Sequence, residues 1–349
     1  MLPVAVDDVT PAWLSEVLGL DVVATEVLDQ HSGTTGRARL ALTYGSGGEG
    51  ACPPSLFVKL PPFNEKQRHF VTLAGLGTAE AHFYRDVAAD VPMRVPGVLH
   101  ASLDDDGGYV MLLEDLEASG CRFPRPDDDD VVAVVDSIVE ELAHLHAHFW
   151  EHPALDGKLS WVNEGMRIAF GSGARFMQMA LDQFAADMPP VYRRLGELYI
   201  GETRGIADLW AAPPHTLAHG DPHMGNLFVD GTRAGFFDWG MVMRKAGMWD
   251  VAYVICNSVP TEIRRANERS WLDQYREHLA ENGIRLDADA VWEQYRLYAV
   301  YSWNSAVSTA AMGSRWQPEA RAHAAMMRTT TAIEDLDSVA LLEARLGTQ

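Results

Sequence analysis

The chain has 349 residues, of which 47% are hydrophobic and 22% charged; this is ordinary globular usage, enough for two compact units or one large one, and it excludes a disordered or collagenous chain. Lysine and arginine number 28 against 49 acids, a formal charge of −21 that disfavours nucleic acid and anionic membrane surfaces as partners. The three cysteines, Cys52, Cys121 and Cys256, show no C-x-x-C spacing, so neither a disulfide framework nor a cysteine zinc site is expected, and a reducing cytoplasm is the expected compartment.

Asp7, Asp8 and Glu16 stand where an export signal needs an uncharged run, so none is expected. Short apolar runs between residues 23 and 60, broken at HSGTTGR and GSGGEGACPP, predict three antiparallel strands. The first two form a hairpin whose turn carries Gly33 and Gly36, positions where a backbone can approach a ligand closely. Helical spacing of Phe83, Tyr84 and Val87 predicts a helix through the second half of 65–90. Two further strands are predicted around Pro96 to Ala101 and, after the DDDGG turn, over Tyr109 to Leu113.

The polar passage ASGCRFPRPDDDD marks a boundary, and helices dominate beyond it. Asp127 to Asp130 precede a helix running to about Trp150, where carboxylates can cap free N–H groups and meet the positive end of the helix dipole. Its apolar start, Val131 to Val139, is the best membrane-span candidate, yet it is interrupted by Asp136 and far shorter than the roughly 18 residues a span requires. Further helical patterns cover 164–185, 190–210, 261–282, 287–312 and 317–345.

Between Thr216 and Val242 the helical run gives way to two strand-like pieces, LFVD and AGFFDW. With them come Asp221, Asn226 and Asp238, an acid and an amide on one loop and a second acid at the end of a returning strand. Hard oxygen donors of this kind hold Mg²⁺, while another carboxylate accepts the proton of an attacking hydroxyl, the combination that phosphoryl transfer from a magnesium nucleotide needs.

HGDPHMGN followed by FFDW resembles the catalytic loop and metal-binding motif of the aminoglycoside phosphotransferase and choline or ecdysteroid kinase-like families, relatives of the protein kinases. The resemblance spans about residues 30 to 255 and is strongest over 216–240. It implies an α+β, protein-kinase-like bilobal fold: a small N-terminal lobe (1–116) with an antiparallel sheet and helix that binds nucleotide, and a larger, mainly helical C-terminal lobe (117–349) for catalysis and acceptor binding. Mg-ATP would lie in the cleft. Asp221 is then the catalytic base, and Asn226 and Asp238 are the metal ligands. Lys59, in SLFVKL, resembles the lysine that neutralises nucleotide phosphates, and Glu80, in AEAHFYRDV, its ion-pair partner. Ser32, Thr34 and Thr35 fall in the turn that would cover the phosphates, although HSGTTGR is not the G-x-G-x-x-G of protein kinases. LLEDL resembles the hinge, where the main chain of Glu114 and Leu116 would meet adenine. His219 would brace the loop. His223 takes the place where protein kinases commonly carry a lysine and would touch the transferred phosphate or the acceptor. Asp250, in GMWDVAYVI, resembles a family acid that starts the next helix and bonds back to the catalytic loop.

His144 and His148 have an i, i+4 spacing able to chelate zinc but lack an H-E-x-x-H base, so they read as core or surface histidines. The aromatic run Trp292, Tyr295, Tyr298, Tyr301 and Trp303 reads as core, with a share in the acceptor pocket as the family resemblance implies. The Met-rich stretches from Met166 and at AAMMR read as adaptable core. The expected activity is ATP- and Mg²⁺-dependent phosphorylation of a hydroxyl on a small-molecule acceptor, a less polar alcohol rather than an antibiotic. The alternative is a nucleotide-binding pseudokinase scaffold, against which the occupied lysine, base and metal positions argue. A protein kinase is disfavoured by the lack of an A-P-E segment, and no pattern assigns an oligomeric state.

Overall fold

Alternation at period two organises the first sheet. In the computed structural model, which describes residues 2–45, 52–163, 172–313 and 318–347, strands β1 (Val22–Ser32), β2 (Gly36–Tyr44) and β3 (Ser55–Leu60) form consecutive antiparallel pairs after a short helix, α1 (Pro11–Leu18). Helices α2 (Glu65–Ala74) and α3 (Leu76–Asp86) precede β4 (Val98–Leu103) and β5 (Tyr109–Glu114), and the five-stranded sheet has the order β1-β2-β3-β5-β4. Ala38, Leu40 and Leu42 of β2, Leu56, Val58 and Leu60 of β3, and Val110 and Leu112 of β5 point into one apolar cluster with Leu14 of α1. Since successive side chains of a strand alternate between faces, Lys59 lies on the face away from that cluster.

Contacts divide the chain into two units. The described residues up to Phe123 together with Phe228–Val242 form the first, and the remaining described residues form the second. The later elements are α4 (Val131–His148), α5 (Ser172–Phe184), α6 (Pro190–Gly201), α7 (Thr203–Trp210), β6 (Thr216–Ala218), β7 (Leu227–Asp230), β8 (Arg233–Phe236), β9 (Met243–Lys245), α8 (Met248–Ser258), α9 (Thr261–Glu281), α10 (Ala288–Ala311), α11 (Glu319–Asp335) and α12 (Ser338–Leu346). In the second unit every residue of α8 is buried, α10 packs on α8, α11 and α5, and α4 packs on α9. The fold is α+β, an antiparallel sheet in the N-terminal part followed by a mainly helical C-terminal part. Among the described residues no helix is long and apolar enough to cross a membrane.

Several boundaries differ from the sequence expectations for local reasons. Helix α1 went unpredicted although its signals are present: the Thr10 hydroxyl accepts from Trp13 N at 3.2 Å, Pro11 occupies the first turn, and Gly19 closes the helix at φ +67°. The helix expected through the second half of 65–90 is α3; α2 ahead of it went unpredicted, and Gly75 at φ +72° parts the two. The patterns over 190–210 and 317–345 split. Glu202 interrupts the first, and Asp337, left-handed at φ +48°, interrupts the second, where Arg296 donates to the carbonyls of Leu336 and Asp337 at 2.6 and 2.9 Å. The expected helix over 164–185 is described only from 172, so its first turns, Met166 and Gln317 lie outside the described residues. Helix α4 stops at His148 rather than Trp150, and its N-cap Asp130 makes no side-chain capping bond. Asp127 and Asp128 turn instead to Arg125.

Candidate active site

In the first unit, strand β3 and helix α3 bring the expected lysine and glutamate together. Lys59 Nζ lies 2.6 Å from the Glu80 carboxylate and 3.3 Å from Asp238 Oδ1, and Lys59 and Glu80 are only 4% and 1% exposed. Burial pushes the Glu80 carboxyl upward, and the Lys59 charge opposes it. Asp238 is one of few non-glycine residues in the left-handed region, at φ +65°, a cost that persists where the surrounding packing dictates it. That packing is visible one residue on. Trp239 is fully buried, donates Nε1–H to Phe236 O at 3.2 Å, and stacks on Phe83 with centroids 3.9 Å apart. Glu80 and Phe83 are neighbours at i, i+3 on α3, so one helix face holds both the lysine and the tryptophan beside Asp238.

The glycine-bearing turn is a three-residue connection in which Gly33 N–H bonds Thr35 O at 3.0 Å. Ser32 Oγ accepts from Phe63 N at 3.1 Å and Thr35 Oγ1 from Arg37 Nε at 3.2 Å; Thr34 is half-buried. Gly36 does not open onto ligand space, because a Cβ there would meet the Phe63 ring and Pro61 O. At the end of β5 the Glu114 carboxylate takes Arg94 Nη2 at 2.8 Å and Gly97 N at 2.9 Å, its N–H bonds Gly97 O, and Leu116 O accepts from Cys121 N. Next to it, Asp115 accepts from Ser55 Oγ at 2.6 Å and from Arg39 Nε at 3.2 Å.

In the second unit the loop after β6 carries the other expected residues. Asn226 Nδ2 donates to the Asp221 carbonyl at 2.9 Å, which turns the amide oxygen the other way. The Asp250 carboxylate accepts from the backbone N–H groups of His219 (2.6 Å) and Gly220 (2.9 Å), as expected of an acid that bonds back to the loop. His219 is buried, and its Nδ1 accepts from Asp221 N at 3.3 Å. His223 Nδ1 accepts from Gly225 N at 3.0 Å, a bond that places the proton of the neutral ring on Nε2, 3.7 Å from Asp221 Oδ2. Met224 N donates to Ser258 Oγ at 2.9 Å.

Two contributors, His146 and Tyr253, were not singled out by sequence. His146, fully buried between the two histidines weighed for zinc, lies 3.2 Å from Asp250 Oδ2 and 2.9 Å from Tyr275 OH. His144 and His148 instead make ring contacts with His278 and His152, and no group of three or more His, Cys, Asp or Glu able to hold a metal occurs among the described residues. Tyr253 OH donates to Asp221 Oδ1 at 2.6 Å, and Tyr301 OH to Gly220 O at 3.2 Å. Tyr253 had a signal: it follows Asp250 by three on one helix, hence on the same face. In the aromatic run, Tyr295, Tyr298 and Trp303 are core, and Tyr301 alone of these reaches the loop.

A model of the phosphotransferase enzyme family APH matches residues 39–298. The chain belongs to the phosphotransferase enzyme family. Solved structures share the fold of this family member at low identity. Choline kinase from Cryptosporidium parvum Iowa II is 12% identical with a TM-score of 0.56, covering 93% of either chain. Choline kinase LicA from Streptococcus pneumoniae is 14% identical with a TM-score of 0.53, over 94% of this chain and 99% of that one. The GDP complex of aminoglycoside 2'-phosphotransferase-IIIa is 14% identical with a TM-score of 0.52, over 96% of both. No curated protein matches this phosphotransferase-family chain by sequence. The family supports small-molecule phosphotransferase chemistry with a nucleotide, and the likeness to these structures concerns the kinase-like fold.

Proposed function

We propose that this protein is an ATP- and Mg²⁺-dependent kinase that phosphorylates a hydroxyl of a small, weakly polar alcohol. The observation that carries the reading is the buried Lys59 ammonium held between Glu80 and Asp238. A buried charge costs stability unless paired, and one held by two carboxylates is suited to meeting nucleotide phosphates. In this reading residues 1–116 supply the nucleotide lobe and 117–349 the acceptor lobe. Ser32, Thr34 and Thr35 cover the phosphates. Adenine meets main-chain groups of Glu114 and Leu116.

The donor chemistry fits Mg²⁺. Asp238 offers a carboxylate, and Asn226 an amide oxygen directed by the bond its nitrogen makes. An ion held by two such ligands would complete its shell with waters and phosphate oxygens, as Mg²⁺ does. Bound there, Mg²⁺ would neutralise charge on the phosphates. Asp221 orients the acceptor hydroxyl and takes its proton, while His223, with Nε2–H outward, donates to the transferred phosphate or the acceptor.

Two features support the weakly polar acceptor. Tyr253 from α8 and Tyr301 from α10 bond residues 221 and 220, and the Asp250 carboxylate, which bonds the residue 220 N–H, is fully buried. A polycationic aminoglycoside needs several exposed carboxylates. Three free cysteines, two of them buried, fit the reducing cytoplasm.

The test is a mass-resolved screen with Mg-ATP and pooled aminoglycosides, amino alcohols, sugars, nucleosides and sterols, beside Asp221→Asn. The expected result is a phosphate mass gain that needs magnesium and falls about 10²–10⁴-fold in Asp221→Asn, with ATP affinity nearly unchanged. Nucleotide binding without transfer would favour a scaffold, and no nucleotide binding would overturn the kinase reading.

A further inference from the structure

We propose that Tyr253 is a positioning residue for the base, the middle of a hydrogen-bond chain from Ser305 on α10 through Tyr253 on α8 to Asp221, and that this chain makes Oδ2 the oxygen that receives the acceptor's proton. The proposal rests on the phosphotransferase reading above and deepens it. Tyr253 is 3% exposed, with its hydroxyl 2.6 Å from Asp221 Oδ1 and 3.0 Å from Ser305 Oγ. A phenol has one proton to donate and the carboxylate is the stronger acceptor, so the Tyr253 proton points at Asp221. Ser305 must then be the donor in the second bond, which fixes the direction of the whole chain. Burial, with the Asp221 charge adding to it, holds the Tyr253 phenol well above its ordinary range, so the donor stays protonated.

The two oxygens of Asp221 are thereby made unequal. Oδ1 accepts a short bond from a buried donor. Among the described residues Oδ2 has only longer contacts, 3.4 Å to Asn226 Nδ2 and 3.7 Å to His223 Nε2. In the transfer, the acceptor O–H bond breaks with its proton passing to Oδ2, and the oxygen's electron pair forms the new bond to the γ-phosphorus. The bond from that phosphorus to the nucleoside diphosphate breaks, its electrons leaving with the diphosphate. A carboxylate free to rotate would present either oxygen, or neither, along the line of attack. Tyr301 and Ser305 stand one turn apart on α10, and Tyr301 holds Gly220 O while Ser305 acts on Asp221 through Tyr253. One helix face therefore steadies two successive loop residues, and the tyrosine rings lie 5.6 Å apart.

The experiment uses the full chain, Mg-ATP and the hydroxyl pools of the screen, with initial rates for wild type, Asp221→Asn, Tyr253→Phe, Ser305→Ala and the Tyr253→Phe/Ser305→Ala double variant. Tyr253→Phe removes one oxygen and keeps the ring. The expected result is a kcat about 10–100-fold lower, the scale of a lost hydrogen bond to a charged group, with KM for ATP unchanged. Ser305→Ala should lower kcat about threefold. Because Ser305 acts through the phenol, the double variant should be no slower than Tyr253→Phe alone, a non-additivity that two independent packing roles would not give. Tyr253→Phe within about twofold of wild type, or a double variant losing the product of the two factors, overturns the chain while leaving an Asp221-dependent kinase intact. Wild type without transfer, or transfer unaffected by Asp221→Asn, overturns the kinase reading and the proposal together. Should Tyr253→Phe fail to fold, Ser305→Ala alone decides: a kcat loss at constant ATP KM upholds the chain, and none overturns it.

Discussion

Asp115 shows how a single buried carboxylate ties stability to pH. Burial is the largest influence on it and pushes its carboxyl up, but the Ser55 hydroxyl, the Ala118 N–H and the Arg39 guanidinium together outweigh burial and hold it below the usual range. A group whose folded pKa lies below its unfolded value, about 3.9 for aspartate, stabilises the fold fully above that value and ceases to as pH falls through the folded pKa. The lead of wild type over Asp115→Asn in melting temperature should be constant from pH 8 to about 5 and shrink below about 4. A lead that grew in acid would contradict the pairing. Gly247 is a second single-residue test. A Cβ there would sit 2.6 Å from His146 Nδ1 and collide with the Tyr275 hydroxyl, the partners that steady Asp250 beneath the loop. Gly247→Ala should cost about 1–3 kcal/mol in urea unfolding, the scale of overpacking, and lower turnover because the Asp250 bonds to residues 219 and 220 shift. The signal for the histidine between His144 and His148 was absent from sequence, since zinc spacing and burial make different residues of one helix stand out.

Helix α3 is the element in which local pattern and the candidate site coincide. Its E-x-x-F string puts Glu80 and Phe83 on adjacent turns, where Glu80 takes Lys59 and Phe83 stacks on Trp239. Phe83→Ala should cost about 3–5 kcal/mol by urea denaturation, with Phe83→Leu much less, because the first empties a fully buried site against the Trp239 ring. Equal losses would argue that the ring stack contributes and volume does not. Helix α10 carries the opposite lesson. Its aromatic three-residue steps predict a buried face, and Tyr295, Tyr298 and Trp303 are buried. Which of its residues reaches the loop after β6 depends on the angle at which α10 lies on α8, and spacing along one helix contains no such angle.

For the whole molecule, the strongest consequence of the kinase reading is linkage between nucleotide binding and stability. Mg-ATP at one hundred times its Kd should add about 2.7 kcal/mol to the state that binds it, raising the melting temperature by several degrees. Lys59→Met should abolish most of that shift even though its own baseline falls, since Glu80 is then buried without its cation. A full shift in Lys59→Met would remove the lysine from the phosphate site. The formal charge of −21 bears on solubility and on partners of opposite charge, and the positions of Lys59, Asp221 and Asp238 owe nothing to it.

The residues themselves determined whatever depends on neighbours within about a dozen positions: alternation in β2 and β3, the E-x-x-F face of α3, and the Asp221, Asn226 and Asp238 spacing. Local geometry is the reason, since a strand or helix period converts directly into a face and a tight loop brings residue i to i+5. The tertiary structure decided the rest. It joined residues 228–242 to the first unit, turned Ser32 and Thr35 to protein partners, and put Phe63 against Gly36. It also set His146 under Asp250 and Ser305 behind Tyr253, pairs 104 and 52 residues apart in sequence. Those contacts arise where two elements pack, and packing fixes register and crossing angle only when every side chain in the interface has found its place.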